Sequence, residues 1–114
     1  MSLRALVTGV AGLKSYTEGL DVIGNNVANV DTTAYKSSRV TYKEVFTQTL
    51  KQATRLSNPQ QIGLGVKVGS IDVNHKQGAL KSTGRDTDMA IEGDGFFVLQ
   101  NPMDATENYF SRDG

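Results

Sequence analysis

Cysteine is absent from this 114-residue chain, so disulfides and thiolate metal sites are excluded outright. Tryptophan is absent too, and aromatic residues make up only 7% of the chain, which leaves little bulk for a large, well-filled core. Net charge is also missing, because twelve Lys/Arg balance twelve Asp/Glu. A nucleic-acid binder usually carries a basic excess for phosphate contacts, so this balance argues against one. The halves differ slightly: residues 1–57 hold seven basic and four acidic side chains, and residues 58–114 hold five and eight. Such differences are too small to imply a polyanionic partner, yet they would help opposite ends of neighbouring subunits attract. No apolar run approaches the ~20 residues needed to cross a bilayer, so membrane insertion is not expected. The single histidine, His75, supports no Ser–His or Cys–His catalytic pair and reads as a surface residue beside a turn.

What the chain does have is a long amphipathic opening. Leu6, Leu13, Leu20 and Val27 fall seven residues apart, and Leu3, Val10 and Thr17 each precede one of the first three by three residues. That is an a/d spacing, the pattern of a helix that buries a narrow seam against another helix. The remaining sequence offers one short helix and several short strands, so the expected partner is another chain or a further part of the protein. Ser2 is a candidate cap, and the helix is expected from Leu3 to about Ala28. Gly9, Gly12, Gly19 and Gly24 lie inside it, each costing about 1 kcal/mol relative to Ala, so the isolated segment should be disordered and fold on assembly. Glycine also permits close helix approach. The start faintly resembles a signal peptide, but Thr8, Gly9 and Gly12 interrupt its apolar part, Lys14 ends it, and no small-residue cleavage site follows.

Asp31-Thr32-Thr33 breaks the periodicity with three turn-prone residues. A second helix is expected at 41–55: Thr41 and Glu44 match a capping box, Val40 and Val45 a hydrophobic staple, and Tyr42, Val45, Phe46, Thr49, Leu50 and Ala53 line one face. Beyond Gln61 the period becomes two. Leu64, Val66 and Val68 alternate with Gly65 and Lys67, whereas Ile71 and Val73 have the opposite parity, which predicts a bulge near Gly69-Ser70. Met89 and Ile91 begin a further predicted strand, Gly93-Asp94-Gly95 reads as a hairpin loop, and Phe96-Phe97-Val98-Leu99 is expected to be the most buried strand. Asn101-Pro102 turns, and Tyr109-Phe110 begins another strand. The closing Asp113-Gly114 is itself a hairpin signal without a returning strand, which suggests a truncated sequence.

The segment from Leu20 through Asp21-Val22-Ile23-Gly24-Asn25-Asn26-Val27-Ala28-Asn29 to Val30, followed by Thr32, Tyr35 and Lys36, resembles the N-terminal signature of the flagellar rod and hook axial proteins. Further stretches resemble that family in the same order: Gln61 to Val66, Gln77-Gly78-Ala79-Leu80, Thr83-Gly84, Thr87 to Ile91, Gly93 to Val98, and Tyr109-Phe110-Ser111-Arg112. Each motif is weak alone; the ordered set is strong and covers essentially the whole chain. Asn58-Pro59-Gln60-Gln61 leading into Ile62-Gly63-Leu64-Gly65-Val66 leans toward the hook member, with the distal rod member second. The resemblance implies a subunit stacked helically into a hollow tube that joins the flagellar motor to the filament. Terminal helices would form its inner coiled-coil layer, and the flagellar type III apparatus would export it without a cleaved signal peptide. It implies a location in the extracellular hook or the periplasmic rod, and as partners further copies, neighbouring axial proteins and the export apparatus. Two departures stand out. The family usually has Gly where this chain has Ala34, so a retained left-handed turn would carry roughly 1–2 kcal/mol of strain. The family's C-terminal helix also has no counterpart here.

The residues expected at a subunit interface are Leu6, Val10, Leu13, Leu20, Asn25, Asn26, Val27 and Asn29. The competing reading of the asparagines is a fraying helix end, since Asn favours caps and turns. The acidic group Asp86, Asp88, Glu92 and Asp94 fails the calcium-loop pattern, because Ala90 sits where a third oxygen ligand belongs. Gly63-x-Gly65 with Gly69 does not match a dinucleotide fingerprint. No cofactor, metal or catalytic role is expected. The expected architecture is α+β in three parts: an axial helix over 1–30, a connector over 31–63 containing the 41–55 helix, and the start of an antiparallel β domain over 64–114. A rival class is a soluble adaptor whose helix docks in a partner's groove.

Overall fold

The computed structural model describes residues 2–114. The expected Ser2 cap lies outside the described side chains. Helix α1 spans Ser2–Ala28, and six strands follow: β1 Ser38–Glu44, β2 Thr47–Lys51, β3 Gln60–Gly63, β4 Val66–Val73, β5 Phe97–Asn101 and β6 Asp104–Ser111. They pair antiparallel in three two-stranded sheets, β1 with β4, β2 with β3 and β5 with β6. The class is therefore α+β. The molecule measures 75 × 31 × 29 Å and has a Cα radius of gyration of 23.0 Å, whereas a compact domain of this length would have about 13 Å. Among the described residues no hydrophobic side chain is buried. With so little surface removed from water, this chain holds together through ladders and a few specific contacts rather than a core.

The helix expected at 41–55 is not formed; β1 and β2 occupy that segment. Its sequence is ambiguous, because Val40, Thr41, Tyr42, Val45, Thr47 and Thr49 all suit strands. The distant β4 decides the matter by offering seven paired positions, from Ser38 opposite Val73 to Glu44 opposite Val66. Thr41, read as a helix cap, instead shares a 2.7 Å hydrogen bond with the Ser70 hydroxyl and accepts one from the Ser70 N–H at 3.1 Å. The bulge suggested by the parity switch is present: Thr41 faces Ser70 and Tyr42 faces Val68, which leaves Gly69 as the extra residue.

Residues 74–96 contain no helix or strand, so the strand expected at Met89–Ile91 is absent. Gln77 and Arg112 gather this segment. Arg112 donates to Gln77 Oε1 at 3.2 Å, the Ile91 carbonyl at 3.2 Å and the Gly93 carbonyl at 2.5 Å. Its guanidinium also lies 5.6 Å from the centre of the Phe96 ring. Phe96 to Leu99 is not the most buried stretch: Phe96, Val98 and Leu99 are all exposed. Strand β5 has β6 beside it but no layer over either face, and period-two apolar content cannot bury itself.

Helix α1 lies along the β1–β4 sheet on a face of small and polar residues. Ser15 is 6% exposed and donates to the Val66 carbonyl at 3.0 Å. Gly65, at φ 113°, lets the chain turn from β3 into β4 directly under the helix; a Cβ there would sit 3.5 Å from the Thr8 carbonyl and 3.7 Å from Ala11 Cβ. Gly19 faces the Tyr42 ring, which stacks obliquely on Tyr16 at 5.1 Å between centroids. Two predictions follow from these local contacts. Gly19→Leu forces Tyr42 aside and should cost about 1–3 kcal/mol in denaturant unfolding, with loss of the near-ultraviolet tyrosine dichroism. The second concerns the β5–β6 turn, where the Thr106 hydroxyl and N–H both bond the Asp104 carboxylate and hold its pKa below the ordinary aspartate value. A pKa depressed by folding stabilises the turn above the unfolded-state value and loses that stabilisation as pH falls through the folded one. The Thr106 amide resonance should therefore titrate with a midpoint below that of a free aspartate.

Candidate assembly interface and its anchoring network

The seam residues of α1 point away from the sheet. Leu3, Leu6, Val10, Leu13, Leu20 and Val27 are all exposed, Leu13 by 70%. The opposite face, through Thr8, Ala11, Gly12, Ser15, Gly19, Val22 and Asn26, is the one partly or wholly covered. The sequence alone offers no partner for α1 within the chain; the sheet supplies one for the small-residue face and leaves the large-residue face open. Glycine's close approach thus serves this chain's own strands, with Gly12 beside Val66 and Gly19 beside Tyr42. Burying six Leu and Val side chains is worth on the order of 10 kcal/mol before ordering costs. That exceeds the roughly 4 kcal/mol that four helical glycines forfeit.

The asparagines do different work from the leucines. Asn26 Nδ2 donates to the Ser38 carbonyl at 2.6 Å, and its Oδ1 accepts from the Ser38 N–H and from the Tyr35 hydroxyl, each at 2.9 Å. The two-sided bond to Ser38 fixes the orientation of the amide. Asn25 Nδ2 donates to the Tyr35 hydroxyl at 3.3 Å. Asn29 Nδ2 donates back to the Asn25 carbonyl at 2.9 Å and to Asn25 Oδ1 at 3.0 Å, and Asn29 Oδ1 accepts from the Thr32 hydroxyl at 3.1 Å. The Asn25 carbonyl also accepts the Asn29 N–H at 3.1 Å, so Asn29 closes on the last turn of the helix through both its backbone and its side chain. All three expected interface amides are engaged within the chain, where they tie the helix end to the connector.

That connector contains Ala34, which keeps a left-handed conformation at φ 63°. Tyr35 and Ser38, which receive the asparagines, follow it directly. The asparagine cluster is legible in the sequence alone, but the role of these receivers is not, nor are those of Ser15, Tyr42 and Arg112. Ser15 had a legible signal, since Gly12, Ser15 and Gly19 recur at helical spacing opposite the leucines. Arg112 had none, because its partners Gln77, Ile91 and Gly93 lie far away in sequence. The acidic residues Asp86 and Asp88 line a shallow, open concavity of about 950 Å³ between residues 30–36 and 77–91.

A long helix with an uncovered apolar seam is tied by an asparagine cluster to a β-rich arm. Comparison with known proteins finds relatives of this chain. Residues 6–36 match the flagella basal body rod protein family. The chain is 44% identical to the flagellar hook protein FlgE of Treponema pallidum, over 98% of this chain and 25% of that protein. It is 46% identical to the flagellar basal-body rod protein FlgG of Bacillus subtilis, over 85% of this chain and 39% of that protein. The hook protein FlgE of Borreliella burgdorferi is 41% identical over 86% of this chain and 24% of its own length. The chain belongs among the flagellar rod and hook proteins and spans well under half the length of these relatives. Members of this group are flagellar structural proteins.

Ala34→Gly removes the left-handed penalty of roughly 1–2 kcal/mol at the cost of some unfolded-state freedom. The net expected effect is stabilisation by up to about 1 kcal/mol, read as a higher unfolding midpoint with an unchanged slope. Ala34→Val, with a β-branched side chain in the same conformation, should move the midpoint the other way.

Proposed function

We propose that this chain is part of a structural subunit of the bacterial flagellar hook, polymerising into the hollow axial tube that transmits torque in motility. The observation that carries the reading is the row of exposed apolar residues Leu6, Val10, Leu13, Leu20 and Val27 on the face of α1 that its own sheet does not cover. A seam with a/d spacing takes another helix in coiled-coil fashion, and a repeating tube supplies such helices from neighbouring copies. The flagellar distal rod is the second reading, favoured by the relationship to the Bacillus subtilis rod protein. Under either reading the partners are further copies of the subunit, the adjoining axial proteins and the flagellar export apparatus. The location is the extracellular hook or the periplasmic basal-body rod. No cofactor and no catalytic step is assigned.

The organisation that serves this function has three parts. Residues 1–30 form the axial helix, residues 31–63 the connector, and residues 64–114 the beginning of the outer β region. Strand β1 of the second part pairs with β4 of the third, so the connector and the β region act as one arm.

In the intact protein, Leu13→Asp or Leu20→Asp should abolish polymerisation into tubes, seen by sedimentation and electron microscopy, while the β-strand signal in circular dichroism persists. A charged group buried in a helix–helix seam costs several kcal/mol at every repeat. An undiminished yield of tubes from either variant contradicts the assignment, and a defined one-to-one complex with an unrelated protein would favour an adaptor instead.

A further inference from the structure

We propose that the Asn26 side chain is a conformational latch: by bonding both backbone groups of Ser38 at the free edge of β1, it fixes the direction in which α1 leaves the β arm, and its release lets the helix swing off the sheet. The Ser38 N–H and C=O both bond Asn26 and point away from β4, whose Val73 lies opposite. The amide therefore stands where a neighbouring strand's peptide group would stand, and it stops edge pairing at that point. The Tyr35 hydroxyl braces it by donating to Asn26 Oδ1 while accepting from Asn25 Nδ2.

Elsewhere the join between α1 and the sheet is weak. Among the described residues it consists of small residues, one oblique tyrosine pair and a single side-chain hydrogen bond from Ser15. No hydrophobic side chain is buried beneath the helix among the described residues. The cluster of directional bonds lies at the Asn26 end, immediately next to the connector and its left-handed Ala34. Breaking that cluster leaves α1 held only by shallow contacts, and the connector between Asn29 and Ser37 provides the hinge.

Amide hydrogen exchange and spin-label distances on this chain test the latch. With no native cysteine, Lys14→Cys with Lys67→Cys places one label on the helix and one on β4. The latched chain should give a narrow label distance, slow exchange at the Ser38 N–H, and a through-hydrogen-bond coupling from Asn26 Nδ2 to the Ser38 carbonyl carbon. Asn26→Ala should broaden the distance distribution and speed Ser38 exchange about tenfold, while the Tyr42 and Val68 amides of the β1–β4 ladder keep their protection. Tyr35→Phe should fall between the two. An Asn26→Ala chain with unchanged Ser38 exchange and an unchanged distance overturns the proposal. So does a parent chain that lacks the coupling and exchanges Ser38 at the unprotected rate.

Discussion

The structure depends on how α1 is divided between two faces. Small side chains at Thr8, Ala11, Gly12, Ser15 and Gly19 bring the helix backbone close to β1, β4 and the Gly65 turn. Large side chains at Leu6, Val10, Leu13, Leu20 and Val27 are thereby directed outward. Were the faces exchanged, the leucines would be buried against the chain's own sheet and nothing would remain to hold a second helix. Among the described residues no internal core forms, and the apolar surface of α1 stays open.

One of the three two-stranded sheets carries that helix, and among the described residues none has a core of its own. A lone antiparallel pair is marginal in water, so each needs help. The β1–β4 pair has α1 above it. The β5–β6 pair has the Arg112 fork and the cation–π contact to Phe96, which join it to the irregular 77–93 segment. The β2–β3 pair has the Val45 N–H bond to the Gly65 carbonyl at 2.9 Å at one end and the Thr54–Ser57 bridge at the other, and Phe46 and Leu56 beside it stand 87% and 98% exposed.

Local signals were readable in the sequence, and distant ones were not. The a/d row of α1 is written within each pair of turns, so its outward face could be read directly. The Gly69 bulge was readable because Ile71 and Val73 break the parity set by Val66 and Val68. The left-handed conformation of Ala34 was readable as one of two alternatives, because the family resemblance marks the position for glycine. Residues 41–55 misled because a Thr-x-x-Glu pattern is a local cue, whereas the ladder to β4 depends on residues about 30 positions away. The asparagines were recognised as a group with hydrogen-bonding work to do. Nothing near them in sequence announced that Ser38 and Tyr35 would receive that work, because the hinge that brings β1 back beside the helix end is itself the product of those bonds.

That circularity explains how a non-glycine residue tolerates the turn. A left-handed alanine costs roughly 1–2 kcal/mol. Against it stand three hydrogen bonds to Asn26, two of them closing on a single peptide edge at 2.6 and 2.9 Å. A typical net worth of about 1 kcal/mol per bond gives about 3 kcal/mol, so the bonds outweigh the strain and the turn closes. Were the amide lost, the strain at Ala34 would be opposed only by the remaining bonds of the turn, among them Tyr35 N–H to the Thr32 carbonyl at 3.3 Å, and the connector would be freer to relax toward negative φ. The direction of the helix is therefore not fixed by the turn itself, as a glycine or proline would fix it, but by a side chain at the helix end acting as a substitute strand.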